Sequence, residues 1–309
     1  MNESNTLTLS VSSFCDTVTK HVFTFPGERE AVVESVLYRY PDFKTRTVIC
    51  CSVQSGCPIG CTFCGTGRFF IRNLTAAEIV EQPMTLLREV VNCNPADIGR
   101  LQIMFMSMGE PGFNLVNLCE AIQILHREYP NASLLVSTMG PRVDWEPLLA
   151  VSREISQVGL QFSIHEATDA ARSEVIPYKN KLSLTEIAEL GAKWAACTGR
   201  KPFCNYCVKP GNDTEEHVSM LKAIFDPDVF CFTLSVICEA NKSMKDAHDL
   251  HMQTVQGFAG MMASEGYDTR LFNPAGQDDI GGGCGQLWYF QEWLKTRRAD
   301  STLLTGVAR

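Results

Sequence analysis

A short β-rich run followed by a helical pattern recurs along the chain, and this alternation limits the possible fold more than any other feature. The β-rich runs are residues 47–52, 101–106, 133–138, 159–163, 202–208 and 229–236. Strands that alternate with helices form a parallel sheet with the helices packed outside it. The sequence therefore predicts an α/β fold, which is either an open sheet or a full or partial barrel.

Two of the helical patterns begin with a capping box, in which a hydroxyl and a glutamate three residues later satisfy each other's backbone amides. They start at Thr75 with Glu78 and at Ser183 with Glu186. The other helical patterns lie near residues 115–128, 145–157, 214–225 and 246–265. Together these patterns follow most of the β-rich runs.

The two ends of the chain add smaller elements. Residues 29–40 predict one strand of a small hairpin that leads into the first strand of the sheet. After Gly266 the sequence predicts one more short strand, a glycine-rich loop and a last helix near 286–296. We therefore divide the chain into an N-terminal segment with a β-hairpin, residues 1–46, and a strand–helix domain, residues 47–309.

The composition is that of a globular protein in a reducing compartment. The chain has 309 residues, of which 45% are hydrophobic and 20% charged, so it can bury a large core. No apolar run approaches the roughly 18 residues of a membrane helix, and the N-terminus has no pattern of a signal peptide. Fourteen cysteines without such a signal indicate reduced thiols. We expect a cytoplasmic protein that does not bind membranes.

The net charge of −8 bears on possible partners, because proteins that bind nucleic acids usually present a basic face. The best local candidate is the stretch 43–72, which contains Lys44, Arg46, Arg68 and Arg72 and no acidic residue. So sparse a set of cations is more typical of an ordinary solvated surface.

Three cysteines stand close together in the sequence CPIGCTFCGTG: Cys57, Cys61 and Cys64. Thiolates spaced C-x3-C-x2-C in a loop with glycines can hold one face of a [4Fe–4S] cluster and leave one iron open for a small molecule. The alternatives are a zinc loop that lacks a fourth ligand nearby and three clustered core cysteines. Cys204 and Cys207 also have a zinc-like spacing, but they lie in a predicted strand, where such residues face opposite ways.

Polar motifs follow three of the other predicted strands. SMGEP (107–111) follows the second strand, STMG (137–140) ends the third, and FSIH (162–165) ends the fourth. The carboxyl ends of parallel strands meet at one edge, where α/β folds build their active sites. The sequence therefore predicts a single site at this edge, together with the three-cysteine loop.

The cysteine spacing, with Phe63 just before the third cysteine, resembles the signature of the radical S-adenosylmethionine (SAM) superfamily. The resemblance implies a partial (β/α)6 barrel, a [4Fe–4S] cluster held by the three cysteines, and SAM bound to the open iron. It also implies that an electron from the cluster cleaves SAM to a 5′-deoxyadenosyl radical, and that an electron donor such as flavodoxin or ferredoxin supplies this electron.

Longer blocks of the sequence narrow the resemblance. The segments CCSVQSGCPIGCTFCGTG, MSMGEPGFN, VSTMG, SIHEATDAARSEVIPYKNK, NDTEEH and DDIGGGCGQL look like successive blocks of the RlmN/Cfr family. Members of that family methylate adenosine in large-subunit ribosomal RNA, and the RlmN branch also methylates tRNA. The resemblance therefore implies a radical SAM methyltransferase that acts on an adenine carbon of RNA, and we expect it to be a monomer.

The family resemblance also implies roles for further residues. Cys284 matches the cysteine that is methylated and then carries the carbon to the base, and Cys50 matches the cysteine that resolves the covalent intermediate. Glu34 falls on a motif whose carboxylate lies near the substrate. The residues expected to contact SAM are Gly109, Glu110, Ser137, Ser163, Ile164 and His165.

The sequence departs from the family pattern in three places. About 30 residues precede the predicted hairpin, fewer than an N-terminal accessory domain needs. LFNPAGQDDI replaces a basic stretch, and Cys238 stands where an asparagine contacts the cofactor, unless Asn241 substitutes for it. With the acidic net charge, these departures keep two other functions open. One is a radical enzyme acting on a small molecule, nucleotide or peptide, and the other is an RNA-binding or regulatory relative without catalysis.

Overall fold

One ten-stranded sheet organises the computed structural model, which describes residues 6–13, 17–236, 248–272, 280–281 and 287, with backbone alone at 248–250. In chain order the strands are β1 (Leu7–Ser12), β2 (Val18–Phe25), β3 (Ala31–Arg39), β4 (Arg46–Cys51), β5 (Gln54–Gly56), β6 (Phe70–Asn73), β7 (Arg100–Phe105), β8 (Ser133–Thr138), β9 (Val158–Ser163), β10 (Phe203–Val208), β11 (Cys231–Val236) and β12 (Thr269–Phe272). Strands β5 and β6 form a separate small sheet, and the other ten form the large one.

The large sheet is antiparallel at its beginning and parallel afterwards. Its order is β1-β2-β3-β4-β7-β8-β9-β10-β11-β12. Strands β1 to β4 pair antiparallel, whereas β4 and all later strands of this sheet pair parallel. This arrangement confirms the predicted α/β fold with a largely parallel sheet.

The N-terminal part is a three-stranded meander, larger than the hairpin that the sequence predicted. Strand β3 is the predicted strand, and it pairs with β2, which in turn pairs with β1. The alternating polar and apolar residues of β1 and β2 gave a weaker signal than the buried runs of the parallel strands. The predicted domain boundary falls at residue 46, where β4 begins, and β4 pairs with β3 of the N-terminal segment. The two predicted parts therefore share one sheet, and the boundary between them stays a prediction.

Seven helices are described. They are α1 (Ala76–Glu89), α2 (Leu115–Glu128), α3 (Glu146–Glu154), α4 (Asp169–Val175), α5 (Leu184–Thr198), α6 (Glu215–Lys222) and α7 (His248–Ser264). Both predicted capping boxes are present, at Thr75 with Glu78 and at Ser183 with Glu186. Helix α4 was not predicted, and the helix predicted near 286–296 lies outside the described residues. None of the described helices is long and apolar enough to cross a membrane.

Alternation along the parallel strands separates an apolar outer face from a more polar inner face. On β9, Leu160 and Phe162 are buried, whereas Gln161 and Ser163 are half-buried. Strand β4 shows the same alternation, since Cys51 is fully buried and Cys50 is half-buried. The outer side chains form the core with the helices. The inner face remains available for a site.

An ion pair lies fully buried in the meander. The Lys20 Nζ on β2 is 3.0 Å from the Glu34 Oε2 on β3, and both side chains are 0% exposed. Burial lowers the pKa of Lys20, and Glu34 opposes that effect. Removing one member of a buried pair leaves a buried charge without its counter-ion, which costs far more than replacing both members.

Replacing Lys20 alone is therefore expected to destabilise the fold strongly. We expect Lys20→Met to lower the free energy of unfolding by about 3–5 kcal/mol, because Glu34 loses its ammonium partner. The double variant Lys20→Met/Glu34→Gln should recover most of that loss. Urea unfolding of the three proteins measures the difference, and a double variant that is less stable than Lys20→Met would contradict the argument.

Candidate active site

The three-cysteine loop lies between the two strands of the small sheet. Gln54 on β5 pairs with Asn73 on β6, and the Gln54 Nε2 donates to the Asn73 Oδ1 at 2.7 Å. The Cys57 amide donates to the Phe69 carbonyl at 2.7 Å. The small sheet thus fixes both ends of the loop.

The loop itself is wound tightly. The Cys64 amide donates to the Cys61 carbonyl at 3.1 Å, and the Gly67 amide donates to the Cys64 carbonyl at 3.3 Å. A Cβ atom on Gly67 would lie 3.0 Å from the Gly60 Cα and 3.1 Å from the Cys61 nitrogen. Position 67 therefore needs glycine, because the loop passes so close to itself.

The thiols of this loop fit an iron–sulfur cluster better than a single zinc ion. All three are free cysteines, and burial raises the pKa of Cys57, Cys61 and Cys64. The other two thiols and Glu110 raise the pKa of Cys57 further, so the groups are electrostatic neighbours. Within the described ranges, no three His, Cys, Asp or Glu side chains are close enough to ligate one metal ion. Three thiols held in one loop suit one face of a cluster of several irons, whereas a structural zinc ion needs four ligands.

Glu110 connects the loops that follow β7 and β8. Its carboxylate accepts hydrogen bonds from the amides of Gly112 at 2.7 Å and Met139 at 2.9 Å, and from the Thr138 hydroxyl. Its own amide donates to the Gln54 Oε1 at 2.8 Å. Burial raises the pKa of Glu110 to about 7, although these hydrogen bonds act in the opposite direction.

Gly109 occupies a backbone conformation that L-residues rarely adopt, with φ at +101°. A Cβ atom there would lie 2.6 Å from the Gln54 Cβ and 2.8 Å from the Gln54 nitrogen. The close approach of Gly109 to β5 allows Glu110 to bond Gln54. Gly109 thus has a packing role in the site besides any contact with a cofactor.

Serines near the carboxyl ends of β8, β9 and β11, with Asn205 in the middle of β10, line the inner face. The Ser137 and Ser163 hydroxyls are 3.4 Å apart, and the Gln161 Nε2 donates to the Ser137 Oγ at 3.1 Å. Further along the sheet, the Ser235 hydroxyl donates to the Asn205 Oδ1 at 3.0 Å. These groups give the inner face donors and acceptors for a polar ligand.

His165 follows β9 directly and lies against the cysteine loop. Its φ is +61°, and its ring meets the Phe63 ring edge-on at a centroid distance of 5.2 Å. The Asn205 carbonyl accepts from the amides of Ile164 at 3.0 Å and His165 at 3.2 Å. Burial lowers the pKa of His165 to about 3, so the ring is neutral at physiological pH. The buried His165 Nδ1 has no hydrogen-bond partner among the described residues, so it can still bond a ligand.

Cys50 and Glu34 lie on the same face of the sheet. Val36 of β3 pairs with Cys50 of β4, and residues two apart on a strand share a face, so Glu34 is a diagonal neighbour of Cys50. The hydroxyls of Ser52 and Ser107 donate to the Glu34 carbonyl at 2.7 and 2.6 Å. Burial raises the pKa of Cys50 to about 12.

Other predicted residues lie outside the described residues, namely Cys284, Cys238 and Asn241. The nearest described positions to Cys284 are Gly281 and Leu287. Leu287 is 6% exposed, and its carbonyl accepts a hydrogen bond of 3.4 Å from the Thr66 hydroxyl, two residues beyond Cys64.

The sequence and the fold resemble those of known proteins. Residues 51–190 match the radical SAM superfamily. A crystal structure of a radical SAM methyltransferase from Sphaerobacter thermophilus superposes with a TM-score of 0.76 and 27% identity, over 92% of this chain and 81% of that one.

Two curated relatives are probable dual-specificity RNA methyltransferases RlmN. That of Heliobacterium modesticaldum is 32% identical over 83% of this chain and 67% of its own length. That of Thermotoga neapolitana is 30% identical over 86% of this chain and 74% of its own length. This chain belongs to the RlmN family of radical SAM methyltransferases. It is therefore an enzyme that uses a [4Fe–4S] cluster and SAM.

Sequence reasoning missed several residues that build the site. Gln54, Thr138, Asn205 and Lys20 bond or neutralise predicted site residues, yet each is an ordinary residue within a strand. Thr138 lay inside the STMG motif but was not singled out, and the other three gave no sequence signal because their partners are distant in sequence.

A glycine pair allows the packing role of Gly109 to be tested. Gly211 has nearly the same φ, +97°, but no atom lies within 4 Å of a Cβ built there. We expect Gly211→Ala to cost about 1 kcal/mol of stability from backbone strain, and Gly109→Ala about 2 kcal/mol more from overpacking against Gln54. Thermal unfolding of both variants measures the difference, and equal losses would show that Gln54 does not constrain position 109.

Proposed function

We propose that this enzyme methylates an adenine carbon in RNA through a methyl-cysteine intermediate. One observation carries the proposal. Cys50, which is not part of the cluster loop, lies on the inner face of the sheet, beside the carboxyl ends of the strands where SAM is expected to bind. The relatives at 30–32% identity are named as RNA methyltransferases, which supports RNA as the substrate.

Cys57, Cys61 and Cys64 would hold the cluster. When bound, the cluster supplies the electron that cleaves SAM to a radical. Because the tight loop and the small sheet fix the thiols, the three would hold the cluster in one orientation. A one-electron donor such as flavodoxin or ferredoxin would dock from outside, in the cytoplasm.

SAM would bind at the carboxyl ends of β7, β8 and β9. The residues that would contact it are Gly109, Glu110, Ser137, Ser163, Ile164 and His165. The Glu110 Oε1 already accepts from Gly112 and Thr138, whereas Oε2 accepts from Met139 and has a second lone pair for a ligand. His165 offers a neutral ring with a buried Nδ1 that has no partner in the described part of the chain. The polar atoms of this edge suit the amino, carboxylate and ribose groups of such a ligand.

Cys284 and Cys50 would carry out the transfer in sequence. The Cys284 thiolate would take the methyl group of one SAM, which leaves as S-adenosylhomocysteine. The radical from a second SAM would remove a hydrogen atom from that methyl group, and the carbon would then bond the base as one electron returns to the cluster and one proton leaves the base. The Cys50 thiolate would attack the Cys284 sulfur, which breaks the carbon–sulfur bond; the released carbon takes up a proton to complete the methyl group, and a disulfide is left between the two residues. An external thiol must reduce that disulfide before the next turnover. The anchoring of Leu287 at Thr66 supports the role of Cys284, because three residues of chain span at most about 11 Å.

The proposal gives Glu34 a place near the substrate. Its position diagonal to Cys50 supports that role. Its side chain is 0% exposed and paired with Lys20, so its carboxyl group is held in place.

A second candidate substrate is a small molecule, nucleotide or peptide. The net charge of −8 favours it, since long phosphate chains bind best to basic surfaces. The same cluster, SAM edge and cysteine pair would serve either substrate.

The cluster assignment predicts a selective loss of iron. We expect anaerobic reconstitution to give about one oxygen-sensitive [4Fe–4S] cluster per chain, and alanine at Cys57, Cys61 or Cys64 to abolish it. Cys119→Ala is the matched control, because Cys119 is a buried cysteine on α2. Iron and sulfide content with the visible spectrum measures the result, and a wild-type chain that takes up zinc but no iron would refute the assignment.

Replacing Cys50 should trap the substrate. We expect Cys50→Ala to accumulate a covalent adduct on Cys284, because no thiol remains to resolve it. Cys51→Ala is the control, since Cys51 faces the opposite side of β4 and should leave turnover intact. Mass spectrometry of the adduct identifies RNA, nucleotide or small molecule directly. Normal turnover by Cys50→Ala would disprove the two-cysteine mechanism.

A further inference from the structure

Helix α4 packs directly on the three-cysteine loop. The Thr62 amide, between Cys61 and Cys64, donates to the Val175 carbonyl at the end of α4 at 3.0 Å. Ile176, just after α4, forms a small buried cluster with Ile59 and Met139, against which Cys57 and Cys61 pack. The helix is therefore a wall of the proposed cluster site.

One turn back on this helix, Arg172 is buried completely, with 0% of its surface exposed. Its guanidinium donates to the carbonyls of Met139 and Leu182, the latter at 2.7 Å. Met139 itself belongs to the small cluster on which Cys57 and Cys61 pack. Shared contacts thus place the guanidinium beside the cysteine loop.

Arg172 has no ion-pair partner among the described residues. No carboxylate there lies within 4.0 Å of its guanidinium, and its Nε has no hydrogen-bond partner, although the more distant carboxylates of Asp169 and Glu110 help to stabilise its charge. Carbonyl groups satisfy some of its N–H donors but do not neutralise its charge. Buried charges are normally paired, so an unpaired guanidinium points to an anion that is present in the working protein.

We propose that Arg172 is the charge-compensating residue of the iron–sulfur site, where its guanidinium balances the thiolate-bound cluster and raises the reduction potential. This inference rests on the proposed binding of the cluster by Cys57, Cys61 and Cys64. A cluster held by three thiolates is anionic, and reduction adds one electron taken from an external flavin or iron–sulfur protein. A nearby cation stabilises the reduced state more than the oxidised state, because the reduced state has the greater negative charge.

The electrostatics of the loop support the proximity. Burial raises the pKa of Cys61, and Arg172 is among the groups that oppose this rise. Burial likewise raises the pKa of Glu110 to about 7, and Arg172 again acts in the opposite direction. Although burial lowers the pKa of Arg172 itself to about 10, the group is still charged at neutral pH.

Arg200 provides a matched control elsewhere in the fold. Its guanidinium also donates to backbone carbonyls, those of Ser152, Ile155 and Ser156, and its buried Nε also lacks a partner. It lies over the Trp194 ring, just before the amino end of β10, whereas the cysteine loop lies at the carboxyl ends of the strands. If a substitution acts only by removing hydrogen bonds to backbone carbonyls, it should have a similar effect at Arg172 and at Arg200.

The test is a redox titration of the reconstituted protein, followed by electron paramagnetic resonance of the reduced cluster. We expect Arg172→Gln to lower the equilibrium constant for one-electron reduction about tenfold, which is a shift of about −59 mV. Arg172→Lys keeps the charge and should stay near the wild-type potential, and Arg200→Gln should not change it. An Arg172→Gln protein with a full cluster and the wild-type potential would overturn the proposal.

Thermal unfolding and iron content separate this result from misfolding. If Arg172→Gln does not fold, Arg172→Met keeps the buried aliphatic volume and is measured in its place, with the same result expected. A folded variant that loses iron, while Arg172→Lys keeps it, supports compensation of the cluster charge. A wild-type protein that binds no iron refutes the proposed cluster site itself, whereas an unchanged potential in the variants refutes only the role of Arg172.

Discussion

The structure depends on the two different pairings of strand β4. It is antiparallel to β3, with Val36 opposite Cys50, and parallel to β7, with Cys50 opposite Met104. This strand therefore joins the N-terminal meander to the parallel strands in one sheet. Because the registers on both sides are fixed, the side chains of the meander and of the parallel strands share a common inner face.

The loops above this sheet are fixed by buried polar bonds. Glu110 bonds the loop after β8 and also β5, and the serines after β4 and β7 bond the Glu34 carbonyl. Buried polar groups that are fully bonded specify one arrangement, because any displacement leaves a donor or acceptor without a partner. The site is thus held in position by the same residues that would bind its ligands, so substitutions there will often change both stability and activity.

Local patterns in the sequence were enough to predict the parallel strands, both capping boxes and the edge that carries the polar motifs. They failed where the determining contacts are distant in sequence. Strands β5 and β6 pair although more than a dozen residues separate them in the sequence. Helix α4 is short and lies inside a motif that was interpreted only for its functional residues. Lys20 and Arg172 are the clearest cases, since a buried cation looks like a surface residue until its burial is known.

The opposite orientation of Cys50 and Cys51 has a consequence for the fidelity of thiol exchange. Two adjacent thiols could both attack a sulfur–carbon adduct, and resolution by the wrong one would leave an unproductive disulfide. In an extended strand, neighbouring side chains point to opposite faces, and Cys51 is 0% exposed on the outer face. If Cys50 is the attacking sulfur, as proposed, the backbone of β4 would itself make that selection.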